Sequence, residues 1–153
     1  GSGSAVAEEV VGHVQNAHAA GGATQRLLHA LLAAEGCDGQ AVTLGEVAEG
    51  RVVLHRDVTA DMVNSHEICH GGFLFHLADS ALAYCVATFG AAPVTRRAEI
   101  TYVAPARLGA HLVATARQSV EFGRDRMIEV GIEADGQLVA WFTGHSTSPR
   151  VHA

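Results

Sequence analysis

The apolar positions change their period along the chain, and each change marks an element. Over 5–20, Val6, Val10, Val14 and Ala17 recur at helical spacing until Gly21-Gly22 break the pattern. Thr24 is a suitable N-cap for a second helix that carries Leu27, Leu28, Leu31 and Leu32 and ends at Gly36. Over 41–58 the β-branched Val52 and Val53 and a turn at Glu49-Gly50 predict strand. Residues 61–69 are polar and irregular. From 72 to 89 the apolar residues leave no polar stripe, which predicts a long helix buried nearly all round, stopped by Gly90 and Pro93. The last third reads as strand at 94–104, 111–122, 126–134 and 137–148. Pro105 ends the first of these, and the turns between them are at Arg107-Leu108-Gly109, at Phe122-Gly-Arg-Asp125 and at Asp135-Gly136, a type I′ signal.

The order is therefore a strand region, one buried helix and an antiparallel meander. One helix and one sheet bury each other only if the sheet curls around the helix, which describes a hotdog-like α+β fold. With no internal repeat or low-complexity linker, the expected organisation is a tag remnant at 1–4, an N-terminal helical segment at 5–40 and one domain at 41–150. The helical segment reads as a packing or oligomer-contact element.

Composition narrows the classes. A hydrophobic content of 48% with 17% charged residues suits a folded domain, and 153 residues suffice for a core without staples. The formal charge is −6, and every basic residue is an arginine. An acidic chain without a basic run is a poor nucleic-acid binder, and Asp79 and Ser80 interrupt the one long apolar run, so no membrane span is expected. Cys37, Cys69 and Cys85 are an odd number without metal-type pairing, which argues against a disulfide framework. No secretory signal is visible, and the cytoplasm is the expected address.

The chemistry gathers around residues 64–80. Gly71-Gly72 open the apolar helix, and a helix start presents free N–H groups and the positive end of the dipole. Glycine there lets an oxygen approach the backbone closely, as an oxyanion hole requires. Asp79, a lone carboxylate in an apolar helix, is expensive to ionise. Gly72 and Asp79 lie seven residues apart, on nearly the same face but roughly 10 Å apart along the axis. One carbonyl group cannot touch both, so the arrangement predicts a twofold dimer in which the glycine pair of one copy faces Asp79 of the other. His70 reads as an orienting residue that bonds the loop or fixes Asn64. Cys69, at the helix entry, has the position of a thiol with a lowered pKa and reads as a bystander.

A rival motif overlaps the same residues. His66-Glu67-Ile68-Cys69-His70 matches H-E-x-x-H, with His76 where a third zinc ligand would fall. The match is partial, because Phe73 stands where a turn glycine is needed and the flanking residues read as loop rather than helix. The expected metal set is therefore none. No G-x-S-x-G elbow supports a serine triad.

The segment Asn64-x5-His70-Gly71-Gly72-Phe73-x-Phe75-x-Leu77-Ala78-Asp79-Ser80-Ala81-x-Ala83-Tyr84 resembles the PaaI-type hotdog thioesterases of phenylacetic acid degradation. Tyr102-Val-Ala-Pro-Ala-Arg107-Leu-Gly109 and Asp135-Gly136-Gln-Leu-Val-Ala140 are similar to the family's later strands and turns. The resemblance spans roughly residues 41 to 148 and implies hydrolysis of an aryl- or phenylacetyl-type acyl-CoA to free acid and coenzyme A, with no cofactor beyond the CoA of the substrate. It implies that Asp79 is the catalytic carboxylate, as general base or nucleophile, and that the Gly71 amide polarises the carbonyl. Asn64 and His70 would support the reacting groups from the opposite subunit, and Gly72, Phe73 and Ser80 would line the substrate. Arg107, Arg124 and Arg126 are the choices for the CoA phosphates. The family's dimers pair into tetramers. A non-hydrolytic acyl-CoA binder or a hydratase is the alternative, although a hydratase would want a catalytic histidine facing an acid.

Overall fold

Alternation along the strands decides which face is inside. Leu112, Ala114 and Ala116, then Ile128, Val130 and Ile132, then Phe142 and Gly144 are all buried, while their neighbours in sequence are more exposed. The computed structural model describes residues 42–91 and 94–149. Residues 1–4, expected to be a tag remnant, the two expected N-terminal helices, Cys37 and Pro93 lie outside the described residues. Within them the strands and the α-helix are β1 (Thr43–Ala48), β2 (Arg51–Asp57), α1 (Gly71–Ala87), β3 (Val94–Tyr102), β4 (His111–Phe122), β5 (Asp125–Ala134) and β6 (Gln137–Thr147), with a short 3-10 turn at Ala60–Met62 before α1.

The six strands form one antiparallel sheet in the order β1-β2-β4-β5-β6-β3. Only β4, β5 and β6 make the expected meander. The strand after the helix crosses to the far edge and pairs with β6, while β2 takes the place beside β4. The connection from β3 to β4 is long enough to cross the end of the sheet, so no hairpin forces those two strands together. Asp135 and Gly136 both have positive φ, 49° and 85°, as a type I′ turn demands.

α1 lies on the inner face against β2, β4, β5 and β6. Leu77, Ala78, Ala81, Leu82, Cys85 and Val86 are almost fully buried. Small residues on the floor set how closely the helix approaches. A methyl group on Gly144 would fall inside the Leu82 side chain. Gly144→Ala is expected to lower stability by about 1–3 kcal/mol through overpacking, read by urea denaturation, with part of the loss recovered by Leu82→Val in the same chain.

The helix is not buried all round in a single copy. Gly72 and His76 are exposed, and Asp79, Ser80 and Ala83 are half-buried along the same stripe. Its polar members, His76, Asp79 and Ser80, are only three among the apolar residues of the helix, with Gly72 and Ala83 at the ends of the stripe. β3 is exposed over almost its whole length, with Val94 at 46% and Tyr102 at 53%. On the outer face, Trp141 packs over Gly131, its register partner in β5.

Candidate active site

The loop before α1 is stitched to the β3–β4 connection by backbone bonds. Cys69 N donates to Ala106 O at 2.8 Å, Leu108 N to Glu67 O at 2.9 Å, and Gly109 N to Val58 O at 2.9 Å. His70 N donates to Met62 O at 2.8 Å, which sets the last residue before the helix. The helix start is thus held by two separate stretches of chain.

Asn64 organises this loop through its side chain. Its Oδ1 accepts from His66 N at 2.9 Å and from Ile68 N at 3.1 Å, an Asx-type turn that supports Glu67 in a left-handed conformation, φ 60°. The carbonyl end of the amide is committed, so its NH2 is the end available to a ligand. His70 bonds the loop through its backbone N–H, while its side chain is exposed and makes no hydrogen bond among the described residues. The H-E-x-x-H segment forms this turn rather than a helix, so His66 and His70 do not share a helical face. Among the described residues no group of three or more His, Cys, Asp or Glu is placed to hold a metal ion.

Phe73 N bonds His70 O at 3.1 Å, but the amides of Gly71 and Gly72 have no acceptor among the described residues. The two glycines differ in surroundings. A Cβ on Gly71 would lie 2.6 Å from Tyr102 Cζ, so only glycine lets that ring lie across the helix start, whereas no atom lies within 4 Å of the same position on Gly72. A cavity of about 370 Å³ beside Gly71 is lined by Cys69, Leu74, Tyr102, Pro105 and others. A second, of about 440 Å³, lies at Gly72, Phe73 and His76, with Arg56 and His70.

Asp79 makes no hydrogen bond or ion pair among the described residues. Burial pushes its carboxyl above the ordinary range, and His76, one turn back, pulls weakly the other way. An unpartnered, desolvated carboxylate is a reactive base. Ser80 sits half-buried beside it. α1 is continuous from Gly71 past Asp79, which keeps the roughly 10 Å separation along its axis.

Burial raises the Cys69 thiol, against a weaker opposite pull from Arg56, so the low-pKa reading of that residue is corrected. The candidate arginines divide. Arg107 is exposed and tied to the loop through a bridge between its backbone and that of Ile68. Arg124 is exposed and bonds Ser148 O at 3.3 Å. Arg126 is occupied: its Nη1 bonds Gln118 Oε1 at 2.8 Å and pairs with Glu121 at 3.3 Å, and its guanidinium lies 4.0 Å from the Phe89 ring centroid, past the C-terminal end of α1. Spacing did not single out Tyr102 or Arg56 for the site. Each sits on a strand whose approach to the helix start depends on tertiary structure.

Comparison with known proteins accords with this geometry. Residues 66–134 match the family model of the Thioesterase superfamily. The chain is 38% identical over 99 residues to the acyl-coenzyme A thioesterase PaaI of Escherichia coli K12, covering 64% of this chain and 71% of that protein. The solved structure of E. coli PaaI superposes with a TM-score of 0.75 at 33% identity, over 80% of this chain and 91% of that one. A mutant form of the phenylacetic acid degradation protein PaaI of Thermus thermophilus superposes with a TM-score of 0.69 at 32% identity, over 73% and 96%. The chain belongs to the thioesterase superfamily, among its PaaI-type, hotdog-fold acyl-CoA thioesterases, and is a thioester hydrolase.

Proposed function

We propose that the protein hydrolyses an aryl- or phenylacetyl-type acyl-CoA to the free acid and coenzyme A, at sites shared between two copies of the chain. The observation that carries this reading is the pairing on one helix of two glycine amides without an acceptor, and a partly desolvated Asp79 without a hydrogen bond, among the described residues, with Asp79 too far along to meet the same carbonyl. The thioester oxygen lies against the Gly71 amide of one copy. Asp79 of the other takes a proton from water, whose oxygen adds to the carbonyl carbon, or its carboxylate adds directly and water then cleaves the anhydride. In either route the amide meets the growing negative charge on oxygen, and the C–S bond breaks to release the CoA thiolate, which is then protonated. The exposed β3 edge supports pairing with a second copy, and such dimers associate further into tetramers. The apolar cavity beside Gly71 supports an aryl acyl group.

Thiol release from a panel of acyl-CoAs tests the reading. Arylacetyl-CoA is expected to show a higher kcat/KM than straight-chain esters of equal carbon count. Release from none of them would leave a non-hydrolytic binder or a hydratase. Asn64 offers a finer check. Asn64→Asp keeps the oxygen that accepts from His66 and Ile68 but removes the NH2. It is expected to fold with an unchanged melting temperature and to lose about a hundredfold in kcat/KM. Full activity would remove Asn64 from the substrate's contacts.

A further inference from the structure

Arg56 is a cation that the proposed reaction leaves unused. It shares the inward face of β2 with the buried Val52 and Leu54, so its stem enters the concave side beneath the helix start. Its Nε is buried without a hydrogen-bond partner, and among the described residues no carboxylate lies within ion-pair distance of it. Asp61 feels its charge only weakly: the Thr59 hydroxyl is what chiefly holds that carboxyl below its ordinary value. The Arg56 guanidinium instead lies 5.8 Å from the centroid of the Phe73 ring.

The cavity of about 440 Å³ that Arg56 lines has no acidic wall among the described residues. Its other lining residues are His70, Gly72, Phe73 and His76. The Gly72 amide is without an acceptor among the described residues, and nothing stands within 4 Å of its Cβ position. A half-buried guanidinium without an anion is unfavourable by itself, and the planar fork is suited to two parallel bonds with a carboxylate or phosphate. We propose that this cavity is an oxyanion subsite of the substrate, in which Arg56 holds a carboxylate or phosphate group beside the Gly72 amide. The proposal rests on the acyl-CoA reading above. The group is either a carboxylate at the far end of the acyl chain or a phosphate of coenzyme A.

Three substrates separate these sources: a neutral arylacetyl group on CoA, the same group on pantetheine, and a carboxylate-bearing acyl group on pantetheine. Arg56→Gln is expected to raise KM at least tenfold for one anion-bearing substrate. It should leave kcat, and KM for the neutral pantetheine ester, within twofold of wild type. A KM rise confined to the CoA ester assigns the phosphate, and one confined to the carboxylated pantetheine ester assigns the carboxylate. An equal loss on all three substrates, or no loss on any, overturns the proposal. Calorimetry with CoA and with glutarate reads the subsite without turnover, so a failure of the thioesterase reading remains distinguishable. Tenfold weaker binding of either by the variant supports the subsite, and unchanged binding of both overturns it. If Arg56→Gln does not fold, Arg56→Lys replaces it in both experiments, keeping the charge but losing the fork, with the same criteria.

Discussion

Asp79→Asn is expected to lower kcat for acyl-CoA hydrolysis by at least about a hundredfold while raising the melting temperature at neutral pH. Both effects have one cause. Burial partly desolvates the carboxylate, against a smaller opposite pull from His76, so its folded-state pKa stands above its unfolded value. The folded protein then binds the proton more tightly than the unfolded chain does, and stability falls as pH rises from the unfolded pKa through the folded one. Above that window the penalty is constant, and the amide variant escapes it. Activity moves the opposite way: the reactive form is the carboxylate, so kcat drops as pH falls through the raised pKa, with an acid limb above that of an ordinary aspartate. Steady-state rates from acid to neutral pH, with melting curves of both proteins, check the pair of effects. A variant that is both active and no more stable would remove Asp79 from the chemistry.

Two inactive variants are expected to rescue one another. Gly71→Pro removes the amide hydrogen at the first helical position, where proline is well tolerated, and His70 already has the extended ψ of 137° that a following proline requires. The new ring meets the far end of the exposed Tyr102 side chain, which can turn aside. Gly71→Pro and Asp79→Asn should each retain about 1% of the wild-type rate or less. Refolded together in equal amounts, half of the dimers are mixed, and one of the two sites in each has both groups intact. About a quarter of the wild-type rate should return. A mixture no more active than its parts would mean that both groups of a site come from one copy.

The turns and the helix were legible because their signals are local. Glu49-Gly50 and Asp135-Gly136 close hairpins by their own backbone preferences, and Gly90 ends α1 with a φ of 71°. The candidate carboxylate and glycine pair were legible because helical spacing converts sequence distance into length. The placement of β3 was not, since strand order depends on long-range pairing that alternation alone does not specify. Arg56 and Arg126 show the same boundary from two sides. In sequence Arg56 is one charge in a strand, yet the fold turns it inward against Phe73, with no carboxylate partner among the described residues. Arg126 has the same chemistry as a candidate phosphate ligand, yet the fold occupies it with Gln118, Glu121 and Phe89.

The seat of Trp141 over Gly131 has a spectroscopic consequence. It is the chain's single tryptophan, so all indole fluorescence comes from the outer face of the sheet. α1 and its cavities lie on the other face, with the buried Ala140 and Phe142 on either side of Trp141 in sequence. Emission should therefore follow the melting of β5 and β6 while staying indifferent to what occupies the helix start. One optical signal can then verify the fold of every site variant without reporting on its chemistry.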